Sequence, residues 1–148
     1  MPGQKDINEK MRAILIDWLV DVHLKFKLRS ETLYLTVNVI DRYLSKTQVL
    51  RQKLQLVGVT AMLIACKYEE IYAPEVKDFV YVTDNAYNRD EVLQMEGLIL
   101  SSLDFDLTYT SPLKYLEKLA NMASIDEKNK FLAKYLLELS LVEMKMIK

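Results

Sequence analysis

The stretch from Leu54 to Tyr72, LQLVGVTAMLIACKYEEIY, decides the fold. Its first two thirds are apolar on every side, so a helix formed by these residues has to be buried all round. Pro74 should end the helix, because a proline disfavours helical backbone at the residue before it. We therefore expect a bundle with this segment as its central helix. The small residues that let neighbouring helices approach closely are Gly58, Ala61, Ala65 and Cys66.

Amphipathic segments on both sides of the central segment supply the rest of the bundle. Residues 6–28, 31–45, 75–82 and 88–103 carry apolar side chains at helical spacing. Ser30 stands where an N-cap of the second helix belongs, and Asn88 with Glu91 forms a capping box for the fifth. The pattern predicts an all-α bundle of five helices.

Two further helices follow the bundle. Ser111 is expected to cap the first of them, with Pro112 at its first helical position, and Ser124 with Glu127 predicts a capping box for the second. The apolar helical pattern runs on through residues 144–148 without a glycine cap or a polar tail. We expect these two helices to belong to a unit that is cut off at its C-terminal end.

Composition and charge exclude several classes of protein. The chain has 148 residues, of which 51% are hydrophobic and 28% charged, and this balance excludes collagen, disulfide scaffolds and low-complexity chains. A formal charge of −1 leaves no bulk field to attract nucleic acid or an anionic membrane. No apolar run reaches the roughly 18 residues that a membrane helix needs. The single Cys66 cannot form an internal disulfide, which indicates a reducing compartment such as the cytosol or nucleus.

Recognisable catalytic and metal-binding groups are missing from the sequence. His23 is the only histidine and is interpreted as an ordinary, partly exposed side chain, while Cys66 is interpreted as core packing. Glu69 and Glu70 are sequence neighbours and point about 100° apart on a helix, which is poor geometry for an acid–base pair. Isolated glycines form no phosphate loop. We therefore expect no catalytic residue, no metal site and no cofactor.

Two features leave alternatives open. The first helix carries two apolar stripes, and one of them can be core while the other stays exposed. The central helix turns abruptly charged at Lys67, either because its end emerges into water or because the charges border a docking surface. The stripe that is a candidate for exposure contains Met11, Ile14, Leu15 and Trp18.

Three strings carry a resemblance to a known family. MRAILIDWL at residues 11–19, LQLVGVTAMLIACKYEEIYAPE at 54–75 and DFVYVTDNAY at 78–87 resemble the N-terminal box of the cyclins. VGVTAM, KYEE, VTDN and LAKYLLELSL resemble the B-type mitotic class more than the A-type or G1 classes. The resemblance implies a five-helix cyclin box at residues 1–107, starting its first helix near residue 6. It also implies a linker and the first two helices of a truncated C-terminal box at 108–148.

The resemblance also implies a function and two sets of site residues. The family's members are non-catalytic subunits that bind and activate a cyclin-dependent serine/threonine kinase, and the B-type members control the G2/M transition. The implied kinase-binding residues are Lys67, Tyr68, Glu69, Glu96, Leu98, Ile99, Phe105 and Leu107. A second implied surface is a hydrophobic patch that docks Arg-x-Leu motifs of substrates or inhibitors, formed by Met11, Ile14, Leu15, Trp18, Asp21, Leu54 and Gln55.

The remaining expectations concern partners and location. Asp21 stands where the family usually has a longer acid or an amide, so it would reach less far toward a ligand's arginine. We expect no nucleic-acid partner, no membrane partner and no homo-oligomer, and a location in nucleus and cytoplasm. The alternative function is a cyclin-box scaffold in transcription, as in factor IIB or the retinoblastoma pocket. The near-neutral charge and the KYEE and MRAIL strings argue against that alternative.

Overall fold

Residues 3–143 are described by the computed structural model, and their regular secondary structure is helical throughout. The all-α prediction is confirmed for this range, whereas the predicted apolar ending at residues 144–148 lies outside it. No helix among the described residues is both long and apolar enough to cross a membrane. The elements are α1 (Glu9–Lys25), α2 (Ser30–Lys46), a 3-10 turn (Arg51–Lys53), α3 (Leu54–Glu69), α4 (Val76–Val82), α5 (Arg89–Ser102), α6 (Pro112–Met122) and α7 (Glu127–Val142).

The centre of the bundle is α3, as its all-round apolar sequence predicts. Every residue from 56 to 66 is buried, and the helix packs against α1, α2 and α5. Gly58 permits the close approach of α1, because a Cβ at this position would lie only 2.7 Å from Leu15 Cδ1. Cys66 is fully buried, and burial raises the pKa of its thiol to about 12, which keeps it protonated and unreactive.

Two of the predicted helix starts are confirmed by their hydrogen bonds. Asn88 Oδ1 accepts from the Glu91 backbone N–H at 2.8 Å, and Glu91 Oε2 accepts from the Asn88 N–H at 3.0 Å. Ser111 Oγ accepts from the Leu113 N–H at 3.1 Å, with Pro112 at the first helical position. In both cases the capping groups are close in sequence, so the local pattern is sufficient to identify them.

Two other predicted caps are wrong. Ser30 is the first residue of α2 rather than its cap, and the Glu70 carboxylate at the end of α3 accepts from the Arg29 N–H at 2.7 Å instead. Ser124 lies in the left-handed region with φ 52°, and Asp126 is the residue that precedes α7. A cap supplied from another helix, as by Glu70, has no signature in the local sequence.

The helices α6 and α7 pack onto the first five helices. Leu113 of α6 and Leu141 of α7 belong to the same buried cluster as the core of α1 to α5. Both helices nevertheless keep large apolar side chains exposed on other faces, in line with the apolar faces that the sequence predicts. These exposed side chains are Tyr115, Leu119, Met122, Phe131, Leu132, Tyr135, Leu136 and Leu139.

Arg12 joins three helices through a charge that is entirely buried. Its Nε and Nη2 donate to Asp41 Oδ1 and Oδ2 of α2 at 2.7 and 2.8 Å, and its Nη1 donates to the Leu141 carbonyl of α7 at 2.9 Å. The side chain of Arg12 is 0% exposed and that of Asp41 is 30% exposed. The α1 helix is thereby tied to α2 and α7 at a single side chain.

Candidate functional site

A groove of about 280 Å³ runs between α1 and the start of α3. Leu15 and Leu54 are each 6% exposed and form its floor, while Ile14 stands 61% exposed at its side. The other stripe of α1 is buried in the core, so only the stripe that contains Ile14 is open to a ligand. The groove is lined by Met11, Ile14, Leu15, Trp18, Arg51, Leu54 and Gln55.

Six of the seven residues predicted for the docking patch line this groove, and Asp21 does not. Asp21 is exposed on α1 one turn beyond Trp18. Asp17 is also exposed and lies one turn before Asp21, on the same side of the helix. These two carboxylates therefore border the apolar stripe without lining the groove.

Arg51 is a groove residue that the sequence does not identify. It lies in the 3-10 turn before α3, and its side chain is 66% exposed. Its backbone N–H donates to Asp6 Oδ2 at 2.7 Å, and its Nη2 lies 3.8 Å from Asp6 Oδ1. The position of this turn depends on the segment before α1 rather than on a local motif, so no spacing rule predicts that its cation reaches the groove.

A second exposed surface lies at the end of α3 and along α5. Lys67 Nζ and Glu96 Oε1 are 2.6 Å apart, with side chains 50% and 15% exposed. Tyr68 and Leu98 are each 57% exposed beside this ion pair, and Phe105 is 69% exposed after α5. We call the set Lys67, Tyr68, Glu96, Leu98 and Phe105 the α3–α5 surface.

Three other residues predicted for kinase binding take different positions. Ile99 is 0% exposed and packs in the core, so the prediction that it lies at the surface is wrong for this chain. Consecutive helical residues point about 100° apart, and an exposed Leu98 therefore turns Ile99 inward. Leu107 is half-buried against the core, and Glu69 is half-buried at the last position of α3.

The backbone after α5 turns the Phe105 side chain outward. Asp104 and Phe105 both adopt left-handed conformations, with φ 54° and 56°, and the Phe105 N–H donates to the Leu100 carbonyl at 2.8 Å. Non-glycine residues adopt this conformation at a cost, and the hydrogen bond to the Leu100 carbonyl helps to hold it.

Two further exposed apolar side chains are not identified from the sequence. Ile71 and Tyr72 follow α3 and are 87% and 92% exposed.

His23 is more buried than its sequence context predicts. It is 6% exposed, and its Nδ1 has no hydrogen-bond partner among the described residues. Burial lowers the pKa of this imidazole, and the nearby charge of Glu70 acts in the opposite direction. His23 is therefore a neutral core side chain near pH 7.

Across residues 3–143, no group of three or more His, Cys, Asp or Glu side chains is placed to hold a metal ion.

Comparisons with known proteins give concordant results along the chain. The family described as the cyclin N-terminal domain matches residues 1–108. Cyclin-B2-1 of Oryza sativa subsp. japonica is 53% identical over 148 residues, covering 100% of this chain and 35% of the relative. The G2/mitotic-specific cyclin-B of Dictyostelium discoideum is 52% identical over 145 residues, covering 98% of this chain and 33% of the relative. The chain thus spans about a third of the length of these relatives.

A solved structure and a third relative agree with these matches. The X-ray structure of a viral cyclin from herpesvirus saimiri superposes with a TM-score of 0.78 at 26% identity, covering 93% of this chain and 59% of that chain. The G2/mitotic-specific cyclin-B2 of Oryzias latipes is 54% identical over 142 residues, covering 96% of this chain and 37% of the relative. The chain therefore belongs to the cyclin family, and these relatives at 52–54% identity are B-type cyclins.

Proposed function

We propose that this chain is a non-catalytic regulatory subunit that binds and activates a cyclin-dependent serine/threonine kinase at the G2/M transition. Its family supports a regulatory role in the cell cycle, and two relatives are named G2/mitotic-specific. The observation that carries the proposal is the α3–α5 surface, where one ion pair is bordered by exposed apolar side chains. Such a combination suits a partner helix with an apolar face and a polar edge.

Binding to the α3–α5 surface would use apolar contact and charge together. A kinase helix laid across it would cover Tyr68, Leu98 and Phe105, which are more than half exposed in the chain alone. Lys67 and Glu96 already hold each other at 2.6 Å, so little side-chain ordering remains when they bond the partner. Charge-assisted hydrogen bonds would then fix the rotation of the bound helix.

Activation follows if the surface fits only the active conformation of the kinase. In that conformation the mobile kinase helix is swung inward and completes the ion pair of the ATP site. A binding partner shifts a two-state equilibrium only by its difference in affinity for the two states. Moving a kinase from about 1% to about 99% active takes about 5.5 kcal/mol of such a difference. A rigid helical surface suits this task because it does not adapt to the inactive state.

A reconstitution assay tests this proposal. The full chain is mixed with a purified mitotic cyclin-dependent kinase, and phosphorylation of a histone-type substrate is measured beside co-elution on size exclusion. We expect a stable complex and a rise in phosphorylation over the kinase alone, while the chain alone transfers no phosphate. Failure to co-elute at micromolar concentrations would contradict the proposal.

We also propose that the groove between α1 and α3 docks Arg-x-Leu motifs of substrates or inhibitors. The motif's leucine would pack between Ile14 and Trp18 above the floor formed by Leu15. Its arginine would lie toward Asp17 and Asp21, which border the groove on α1, since opposite charges favour that orientation. A location in nucleus and cytoplasm stays a prediction.

Trp18→Ala is expected to remove docking while leaving kinase binding intact. Trp18 lines the groove and is only half-buried, so its loss takes contact area from the ligand more than from the core. A central aromatic contact of this kind is worth about 2 kcal/mol, or roughly a 30-fold loss of affinity. Fluorescence polarisation with a labelled Arg-x-Leu peptide measures the loss, and co-elution measures kinase binding.

Leu24→Ala is the matched control for this experiment. Leu24 lies on the same helix, is 65% exposed and does not line the groove, so its truncation should leave peptide affinity unchanged. Loss of both peptide and kinase in the Trp18 variant would instead identify Trp18 as a core residue whose removal disturbs the whole bundle.

A further inference from the structure

A separate polar cleft lies where the second group of helices meets the first. It has a volume of about 210 Å³ and opens between the start of α2 and the paired helices α6 and α7. None of its lining residues belongs to the groove or to the α3–α5 surface. The residues that line it are Arg29, Ser30, Glu31, Tyr34, Leu113, Glu117, Lys134 and Glu138.

Three polar groups in the cleft have no hydrogen-bond or ion-pair partner among residues 3–143. Tyr34 is 1% exposed, and its hydroxyl makes no hydrogen bond to any described residue. Glu31 as a residue is 9% exposed, Glu138 is half-buried, and neither carboxylate forms a hydrogen bond or ion pair within residues 3–143. A buried hydroxyl is normally hydrogen-bonded, so the unpartnered hydroxyl of Tyr34 beside two unpaired carboxylates is unusual.

The local structure stabilises only part of this unpaired cluster. Glu31 lies in the first turn of α2, where the helix dipole favours a negative charge. That effect leaves the Tyr34 hydroxyl without a partner. Burial raises the pKa of Tyr34, and the negative charge of Glu138 raises it further, which places this carboxylate within electrostatic range of the hydroxyl.

The balance of charge in the cleft favours a cation over an anion. Three carboxylates face two cations, and Lys134 Nζ is already held by Glu117 Oε1 at 3.0 Å. Arg29 Nη1 reaches the Glu69 carbonyl at 3.4 Å. The unsatisfied groups are therefore mainly acceptors, and what the cleft lacks is a set of N–H donors with a positive charge.

We propose that this cleft binds the basic side chain, lysine or arginine, of a segment of a partner protein. An ammonium has three donors and a guanidinium five, enough to bond Glu31, Glu138 and the Tyr34 oxygen together. A metal ion is the less favoured occupant, because no metal-binding group is found among the described residues. The proposal is independent of kinase binding and Arg-x-Leu docking, since it uses different residues.

A titration followed by NMR tests the proposal on the full chain. The probes are acetyl-Gly-Arg-Gly-amide, its lysine counterpart and a citrulline counterpart that keeps the shape of arginine but has no charge. We expect saturable shifts at the amides of residues 30–34 and 134–138, with a Kd on the order of 1 mM for a single charged side chain. The citrulline peptide should give none, and the lysine and arginine arms show which cation is preferred.

Variants of the cleft make the assignment specific. Tyr34→Phe removes one oxygen and keeps the ring, and Glu138→Gln removes the charge of a half-buried side chain, so both should fold. Each is expected to weaken binding by about tenfold, the loss of one good hydrogen bond. Asp90→Asn, on α5 away from the cleft, is the matched control and should change nothing.

Three results would overturn the proposal. The citrulline peptide could bind as well as the arginine peptide, which would show that charge is not recognised. The shifts could be unaffected by the cleft variants and disappear with Asp21→Asn, which would place the basic side chain beside the groove. Ca²⁺ or Mg²⁺ could shift the cleft amides where the peptides do not, which would identify a metal site.

Discussion

Arg12→Ala is expected to lower the free energy of unfolding by about 3–5 kcal/mol, the usual cost of breaking a buried ion pair from one side. The substitution leaves Asp41 without its two hydrogen bonds and the Leu141 carbonyl without its donor. Both losses fall between helices, so α1 would be released from α2 and α7 together. Urea denaturation followed by circular dichroism measures the change.

A double substitution shows whether the charge itself is needed. Arg12→Met with Asp41→Leu replaces both partners by apolar side chains of similar size, which is often neutral for buried pairs. We expect the double variant to recover most of the stability that Arg12→Ala loses. Arg89→Ala, which removes an exposed arginine on α5, should change stability by less than about 0.5 kcal/mol. A similarly small change for Arg12→Ala would show that the buried contacts do not hold the helices together.

The double substitution Lys67→Ala and Glu96→Ala is expected to weaken kinase binding strongly, with a loss of about 3 kcal/mol or more, over a hundredfold in affinity. Both groups would become desolvated in the complex, where each charge-assisted bond is strong. In the chain alone the pair is partly exposed, so the same change should cost about 0.5 kcal/mol of stability or less. Isothermal titration with the kinase and a urea curve measure the two effects separately.

A second ion pair, between the 3-10 turn before α3 and the start of α5, provides the control. Lys53 Nζ and Glu91 Oε1 are 3.0 Å apart and lie outside the α3–α5 surface. Lys53→Ala with Glu91→Gln removes that pair, and glutamine retains an oxygen for the Asn88 capping bond. Kinase affinity should be unchanged in this variant. Equal affinities for both double variants and the unaltered chain would show that Lys67 and Glu96 do not contact the kinase.

Local sequence predicts the fold where the determining groups are neighbours in the chain. The all-round apolar pattern identifies α3, and the capping box of Asn88 and Glu91 identifies the start of α5. Arg12 occurs between apolar residues as an ordinary polar position, because its partners Asp41 and Leu141 lie 29 and 129 residues further along. Contacts of that range depend on the assembled bundle and leave no periodic signature.

In the candidate site, too, some features follow from local sequence and others depend on contacts between distant residues. Helical spacing is enough to place Met11, Ile14 and Trp18 on one stripe, and the structure opens a groove along it. Arg51 reaches that groove from a turn whose position depends on Asp6. The sequence around residue 51 therefore does not predict that Arg51 lines the groove. Resemblance to a family places Ile99 among surface residues, whereas the helical rotation that exposes Leu98 carries Ile99 into the core.

The depth of the groove depends on the packing of its floor residue Leu15 against Gly58 of α3. Leu15, its floor, occupies the space that a side chain at Gly58 would take, with Cδ1 only 2.7 Å from where that Cβ would stand. A single methyl group at residue 58 would push the flexible end of Leu15 outward, toward Met11 and Trp18, and make the groove shallower. The shape of the groove is therefore determined in part by a core position that does not line it. A substitution in the core at residue 58 is thus expected to change the shape of the groove at the surface.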